Sequence, residues 1–246
     1  MNKPKDEPGL QTILSHCGRN LEASGGYVNV PPYEGSTILH DDMEDLFGRV
    51  DNHLYGDGTA QTYGTDGGPT HEAFYDAMNK LEGGAGTWAF STGLAGCTIP
   101  MMAFLKTGDH MLVTDSVYGP TRQFCEVLLK NFGVEAEFYE PTIGAGIEKL
   151  IRPNTRLIYM ESPGTHTFEM QDVPAIAAVA RKYSIVTMID NTYATPINFQ
   201  LLKHGVDVVV HSATKYICGR SDVLMSTVTC NEKNRKQVRD VCKMTG

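Results

Sequence analysis

The sequence predicts an α/β fold in which a mainly parallel sheet of about seven strands is flanked by helices. Short apolar runs rich in β-branched and aromatic residues recur along the chain, and segments with helical periodicity lie between most of them. Runs such as "VVV" before His211 are apolar without alternation, the pattern of strands buried on both faces in a parallel sheet.

The elements follow in chain order. The first 62 residues stand apart, because "SGGYVNVPPYEGST" and "YGDGTAQTYGTDGGPT" are full of Gly, Pro and Tyr and short of periodic structure. Long irregular stretches are usually functional or packed on another chain. Residues 1–62 are therefore expected to form an extended, inter-subunit arm, and residues 63–246 the main domain. Strands are expected at "TWAFS" (87–91), "MLVT" (111–114), "AEFY" (136–139), "LIYME" (157–161), "IVTMID" (185–190), "VDVVVHS" (206–212) and "LMSTVT" (224–229). The helical segments "LAGCTIPMMAFL", "TRQFCEVLLKNF" and "VPAIAAVARKY" separate several of them. After a last amphipathic segment, "NEKNRKQVRDVCKMTG", the chain is expected to continue.

Composition narrows the function. With 246 residues, 41% of them hydrophobic, the chain can bury a substantial core, and a net charge of -8 argues against a nucleic-acid surface. The most basic stretch, "KNRKQVR" at 233–239, reads as the solvated face of a helix. No run reaches the roughly 18 to 20 apolar residues of a membrane span, and "MNKPKDEPGL" has no apolar core of a secretory signal, so a cytoplasmic protein is expected. Six cysteines, Cys17, Cys97, Cys125, Cys218, Cys230 and Cys242, lack a C-x-x-C pair and read as reduced thiols. His71–Glu72 lacks the second histidine of a zinc-protease helix, and no metal site is expected.

Ligands of an open parallel sheet gather at the carboxyl ends of its strands. Asp190 ends one expected strand, Ser212, Thr214 and Lys215 follow another, and Gly93 opens a helix after a third. Each has a bland reading, as a helix cap, a solvated strand end or a tight turn. Pyridoxal 5'-phosphate needs the combination: a lysine amine for its aldehyde, a carboxylate for its ring nitrogen and donors for its phosphate. Lys215 and Asp190 would supply the first two. The N–H groups of Gly93 and Leu94 at a helix start, with the hydroxyls of Ser212 and Thr214, would hold the phosphate. Burial at the sheet's mouth would strip water from Lys215 and favour its neutral amine. Tyr118, after the "MLVT" strand, could stack on the ring.

The chain resembles the Cys/Met-metabolism family of pyridoxal-phosphate enzymes, on "KLEGGAGTWAFSTGLAG", "LKTGDHMLVTDSVYGPT", "MESPG", "MIDNTYATP" and "DVVVHSATKYICGRSDV". Within that family, "YGTDGGPTHEAFYDAMNKLEGGAG" and "ESPGTHTFEMQDVPAI" look most like the bacterial cystathionine β-lyases. The resemblance implies a fold-type I large domain over residues 63–246, with a C-terminal small domain expected beyond this sequence. It implies that Lys215 bonds the cofactor, Asp190 holds its ring nitrogen and Tyr118 stacks on it, while Gly93, Leu94, Ser212 and Thr214 bind its phosphate. It also implies that Tyr63 reaches the neighbouring subunit's phosphate in a homodimer or homotetramer. The expected reaction is β-elimination of cystathionine to homocysteine, pyruvate and ammonia. The alternatives are the family's γ-elimination or γ-replacement, or a catalytically impaired chain that serves only as a binding partner. Thr65 stands where the family usually has an arginine, and Cys218 and Arg220 where it usually has glycine and histidine.

Overall fold

A computed structural model of the protein describes residues 8–22 and 24–245, in two compact units, one running to Lys80 and the other from Leu81 to Thr245. Most of "MNKPKDEPGL", read above against a secretory signal, lies outside the described residues.

The first unit holds α1 (Leu10–His16), α2 (Met43–Tyr55) and most of α3 (Pro69–Glu82). The span expected to be extended through residue 62 thus contains two helices. A signal for α2 was present: Asp42 accepts the Asp45 N–H at 2.9 Å as its cap, and Met43, Phe47, Val50 and Leu54 recur at helical spacing. The glycine-rich segments on either side obscured it. The unit's edge also falls at Lys80 and not at residue 62, because α3 is bonded to the N-terminal segment. The Gly18 N–H donates to Asp76 at 3.2 Å, and the Tyr33 N–H donates to the Thr70 hydroxyl at 2.9 Å.

The second unit contains β1 (Gly86–Phe90), α4 (Gly93–Thr98), β2 (His110–Thr114), α5 (Gly119–Gln123), β3 (Glu135–Tyr139) and β4 (Thr155–Glu161). It continues with α6 (Val173–Lys182), β5 (Val186–Asp190), α7 (Thr195–Asn198), β6 (Val208–His211), β7 (Ser226–Cys230) and α8 (Arg235–Thr245). The seven strands form one sheet in the order β1-β7-β6-β5-β4-β2-β3. β2, β3, β4, β5 and β6 pair in parallel, and β7 runs antiparallel to both of its neighbours. Only β7 is reversed, so the carboxyl ends of the other six strands share one rim. The order changes direction between β2 and β4, the place where such sheets leave a crevice for a ligand.

Side-chain alternation divides the core into two layers. Met111, Val113, Leu157, Tyr159, Met188, Val208 and Val210 pack with Cys97, Met101, Val238 and Cys242 on one face. Leu112, Ile158, Met160, Ile189 and Val209 pack with Ile176, Ala177 and Ala180 of α6 on the other. Burial on both faces explains the unbroken apolar runs of the central strands. The basic stretch before the C-terminus falls largely in α8, but Arg239 is buried, not solvated, and bonds Asp240 at 2.9 Å. Among the described residues no helix is long and apolar enough to cross a membrane.

Ile158 is fully buried between β2 and β5, so Ile158→Ala leaves a cavity that its neighbours cannot fill. The expected loss is about 2–5 kcal/mol, read from the shift in a urea unfolding midpoint. A loss under about 1 kcal/mol would contradict this packing.

Candidate cofactor cleft

At the rim of the second unit lies an open cleft of about 1140 Å³. Gly93, Leu94, Tyr118, Asp190, Ser212, Thr214 and Lys215 all line it, as do Cys97, Glu161 and Arg220. The residues singled out from the sequence thus meet in one place, with one exception. Tyr63 belongs to the first unit, where it is half exposed and bridges Thr37.

Each lining residue is placed by the chain around it. Asp190 ends β5 and is 8% exposed. One of its oxygens accepts the Thr192 N–H at 2.9 Å and the other accepts the Cys97 thiol at 3.4 Å. Gly93 opens α4, whose cap is Thr92 accepting the Ala95 N–H at 3.1 Å. A Cβ on Gly93 would stand 2.5 Å from Ser212 Oγ, so only glycine allows this approach of helix start and strand end. The Ser212 N–H donates to the Thr192 hydroxyl at 2.7 Å, which ties the ends of β5 and β6 together.

Lys215 sits in a turn after β6, its N–H donating to the Ser212 carbonyl at 3.0 Å. Its side chain is exposed, which corrects the expectation that the sheet's mouth strips water from it: the turn carries the lysine beyond the strand's buried end. Thr214 is also placed differently from expectation. Its hydroxyl donates to the Met225 carbonyl at 3.1 Å and accepts the Met225 N–H at 3.0 Å, clipping the lysine turn to the approach of β7. Donation to an anion would require that hydroxyl to give up Met225. Arg220 is 71% exposed and stands 3.5 Å from Asp222.

The sequence reading passed over Glu161. It ends β4 directly opposite Asp190 in the parallel register, and it is 9% exposed. Its carboxylate accepts the Tyr118 N–H at 2.7 Å and the Thr165 hydroxyl. Burial, then the neighbouring Asp190, push its pKa up to about 7. Aligning "LIYME" with "IVTMID" as adjacent parallel strands would have shown two acids ending side by side. Under them lie Cys97 and Tyr159, both buried, whose pKa values burial pushes well above their usual ranges. All six cysteines are free thiols, and among the described residues no group of His, Cys, Asp and Glu could hold a metal ion.

A mainly parallel seven-stranded sheet with this rim is the large domain of a fold-type I pyridoxal-phosphate protein. The residues fit that cofactor: a buried carboxylate, an exposed lysine amine, and a glycine cradle that a Cβ would fill. Residues 11–246 match the family described as Cys/Met metabolism PLP-dependent enzyme, and the chain belongs to it. It is 46% identical, over 97% of its length and 58% of the relative's, to a cystathionine beta-lyase-like protein of Rhizobium johnstonii. It is 37% identical to the cystathionine beta-lyase of Escherichia coli, over 96% of this chain and 60% of that one. A solved cystathionine gamma-lyase from Lactobacillus plantarum, complexed with L-serine, superposes with a TM-score of 0.86 at 30% identity, covering 97% of this chain and 59% of that one. The chain therefore spans about three fifths of the length of the curated relatives it matches.

Glu161 gives the cofactor-free protein a pH signature. Its folded pKa, about 7, lies above the ordinary value of 4.5, so between these the folded state holds a proton that the unfolded chain releases. Stability should fall as pH rises through that window, by about 1–3 kcal/mol, and Glu161→Gln should lack this slope. Urea midpoints of both proteins at pH values spanning that window read it out, and parallel profiles would contradict it.

Proposed function

We propose that this chain is the cofactor-binding part of a carbon–sulfur lyase that cleaves cystathionine by β-elimination. The observation that carries this reading is the convergence of Lys215 and Asp190 on one cleft beside the glycine cradle at Gly93. The likeness to cystathionine beta-lyase relatives supports the substrate class, a sulfur-containing amino acid.

When bound, pyridoxal phosphate supplies an aldehyde that condenses with amines and a ring that takes up electron density from the adjoining carbon. Asp190, fixed by Thr192 and Cys97, would hold the ring nitrogen and keep it protonated. Tyr118, whose N–H is held by Glu161, would cover the ring from its turn. The N–H groups of Gly93 and Leu94, with the Ser212 hydroxyl, would hold the phosphate. Thr214 would join them only by exchanging its donation to Met225. Lys215 would be the residue that bonds the cofactor aldehyde and, as a free amine, would take the proton from the substrate Cα. Cleavage of the Cβ–S bond, with the proton carried by Lys215 delivered to the leaving sulfur, would give homocysteine, and one water would convert the remaining three-carbon unit to pyruvate and ammonia. Tyr63 fits a role across a homo-oligomer interface, against the neighbouring subunit's phosphate, where Thr65 offers a hydroxyl.

The runner-up is γ-elimination or γ-replacement, favoured by the similarity to the cystathionine gamma-lyase structure. The same lysine can move a proton at Cβ as well as at Cα. The products separate the two: pyruvate with homocysteine for β-cleavage, 2-oxobutyrate with cysteine for γ-cleavage.

Lys215→Ala should bind pyridoxal phosphate without the visible absorbance of a lysine-bound cofactor and form no pyruvate, with its far-ultraviolet circular dichroism unchanged. Retained absorbance would assign the bond to another lysine. Asp190→Asn should keep the fold and lose turnover by more than about tenfold, since a charge-assisted hydrogen bond is worth about 1.5–3 kcal/mol. Near-normal turnover at saturating cofactor would remove Asp190 from this role.

A further inference from the structure

We propose that Glu161 is a positioning residue that ties the hold on the Tyr118 turn to the charge standing at Asp190. The inference deepens the cofactor reading above and rests on it.

The geometry is specific. Glu161 and Asp190 are register partners at the ends of β4 and β5, both about nine-tenths buried and both lining the cleft. Glu161 reaches away from the strand in two directions, to the Tyr118 N–H at 2.7 Å and to the Thr165 hydroxyl. It is therefore the post to which the turn after β2 and the loop after β4 are both tied. The groups facing it are Asp190 from β5, Cys97 from α4, Tyr159 from its own strand, and the Tyr118 and Thr165 donors. None of these is a cation. Two adjacent buried carboxylates without a cation cannot both ionise at little cost, and one of them keeps a proton near neutrality.

A protonated ring nitrogen against Asp190 changes that balance. It neutralises the neighbouring charge, so Glu161 releases its proton and becomes a carboxylate. Hydrogen bonds to an ionised acceptor are about twice as strong as neutral ones, so the Tyr118 N–H is then gripped more firmly. The turn carrying the ring that covers the cofactor is thereby secured when there is a cofactor to cover.

The test is calorimetric and spectroscopic. Apo-protein is titrated with pyridoxal phosphate near pH 7 in buffers of different ionisation enthalpy, for wild type, Glu161→Gln and Glu161→Asp. Glu161→Gln keeps the reach to Tyr118 but cannot ionise, whereas Glu161→Asp keeps the charge but falls a methylene short of the Tyr118 N–H. With a pKa of about 7, wild type should release about half a proton more than Glu161→Gln, and the difference should vanish above about pH 9. Glu161→Asp should release its proton, yet show a weakened near-ultraviolet and visible circular dichroism of the bound cofactor, because Tyr118 is no longer held. A residue serving packing alone would move neither readout in this pattern. If all three proteins bind with equal proton release and equal dichroism, the inference fails while the cofactor reading stands. If wild type binds no pyridoxal phosphate, both fail together.

Discussion

Two acids end adjacent parallel strands, and the register that places Glu161 opposite Asp190 is the constraint around which the cleft is arranged. Each is buried, and a buried carboxylate is costly unless it is hydrogen-bonded or protonated. The surrounding structure supplies the bonds. Thr192 and Cys97 serve Asp190, while Tyr118 and Thr165 serve Glu161. These donors come from the α4 helix, the turn after β2 and the loops after β4 and β5, so satisfying two buried acids locates four separate segments of chain. The Thr192 hydroxyl in turn accepts the Ser212 N–H, which carries the arrangement to the end of β6.

Much of the sheet was legible because its strands are short, largely apolar runs set off from their surroundings. "TWAFS", "AEFY" and "IVTMID" fall within a residue of β1, β3 and β5, since Gly, Pro and charged residues punctuate the apolar runs on both sides. The reversal of β7 was not legible. A strand buried on both faces has the same pattern in either direction, and "STVTC" alternates threonine and serine with apolar residues in the middle of the sheet. Of those hydroxyls, Thr229 bonds Thr87 at 2.8 Å, while Ser226 Oγ and Thr227 Oγ1 are buried without a hydrogen-bond partner. α2 was missed for a different reason: its apolar face carries no fully buried residue, so only its cap and spacing marked it.

The site divides in the same way. Lys215, Asp190, Ser212 and Gly93, which line the cleft, stood out in the sequence because each ends or follows an apolar run. Glu161 stands in an equivalent place and was passed over, since its significance lies in its neighbour across the register and not in its own segment. Cys97 read as core filling and is buried, yet its thiol faces a carboxylate. Burial keeps that thiol protonated, so it acts as a donor and not as a nucleophile.

The cleft pairs fixed groups with movable ones. Asp190 is paired on both sides and Glu161 is paired to it, and Gly93 stands where a Cβ would meet Ser212 Oγ. Lys215, Tyr118 and Arg220 are exposed and stand on turns. A group that holds one protonation state of a ring gains from rigidity, because its dipoles need not reorganise when charge develops. A lysine that must alternate between bonding a cofactor and moving a proton gains from slack. The clip between Thr214 and Met225 fixes the base of that lysine's turn while leaving its side chain free, so the turn supplies reach without loss of register. Under the proposed function, exposure of Lys215 and burial of Asp190 would be two parts of one division of labour between turn and sheet.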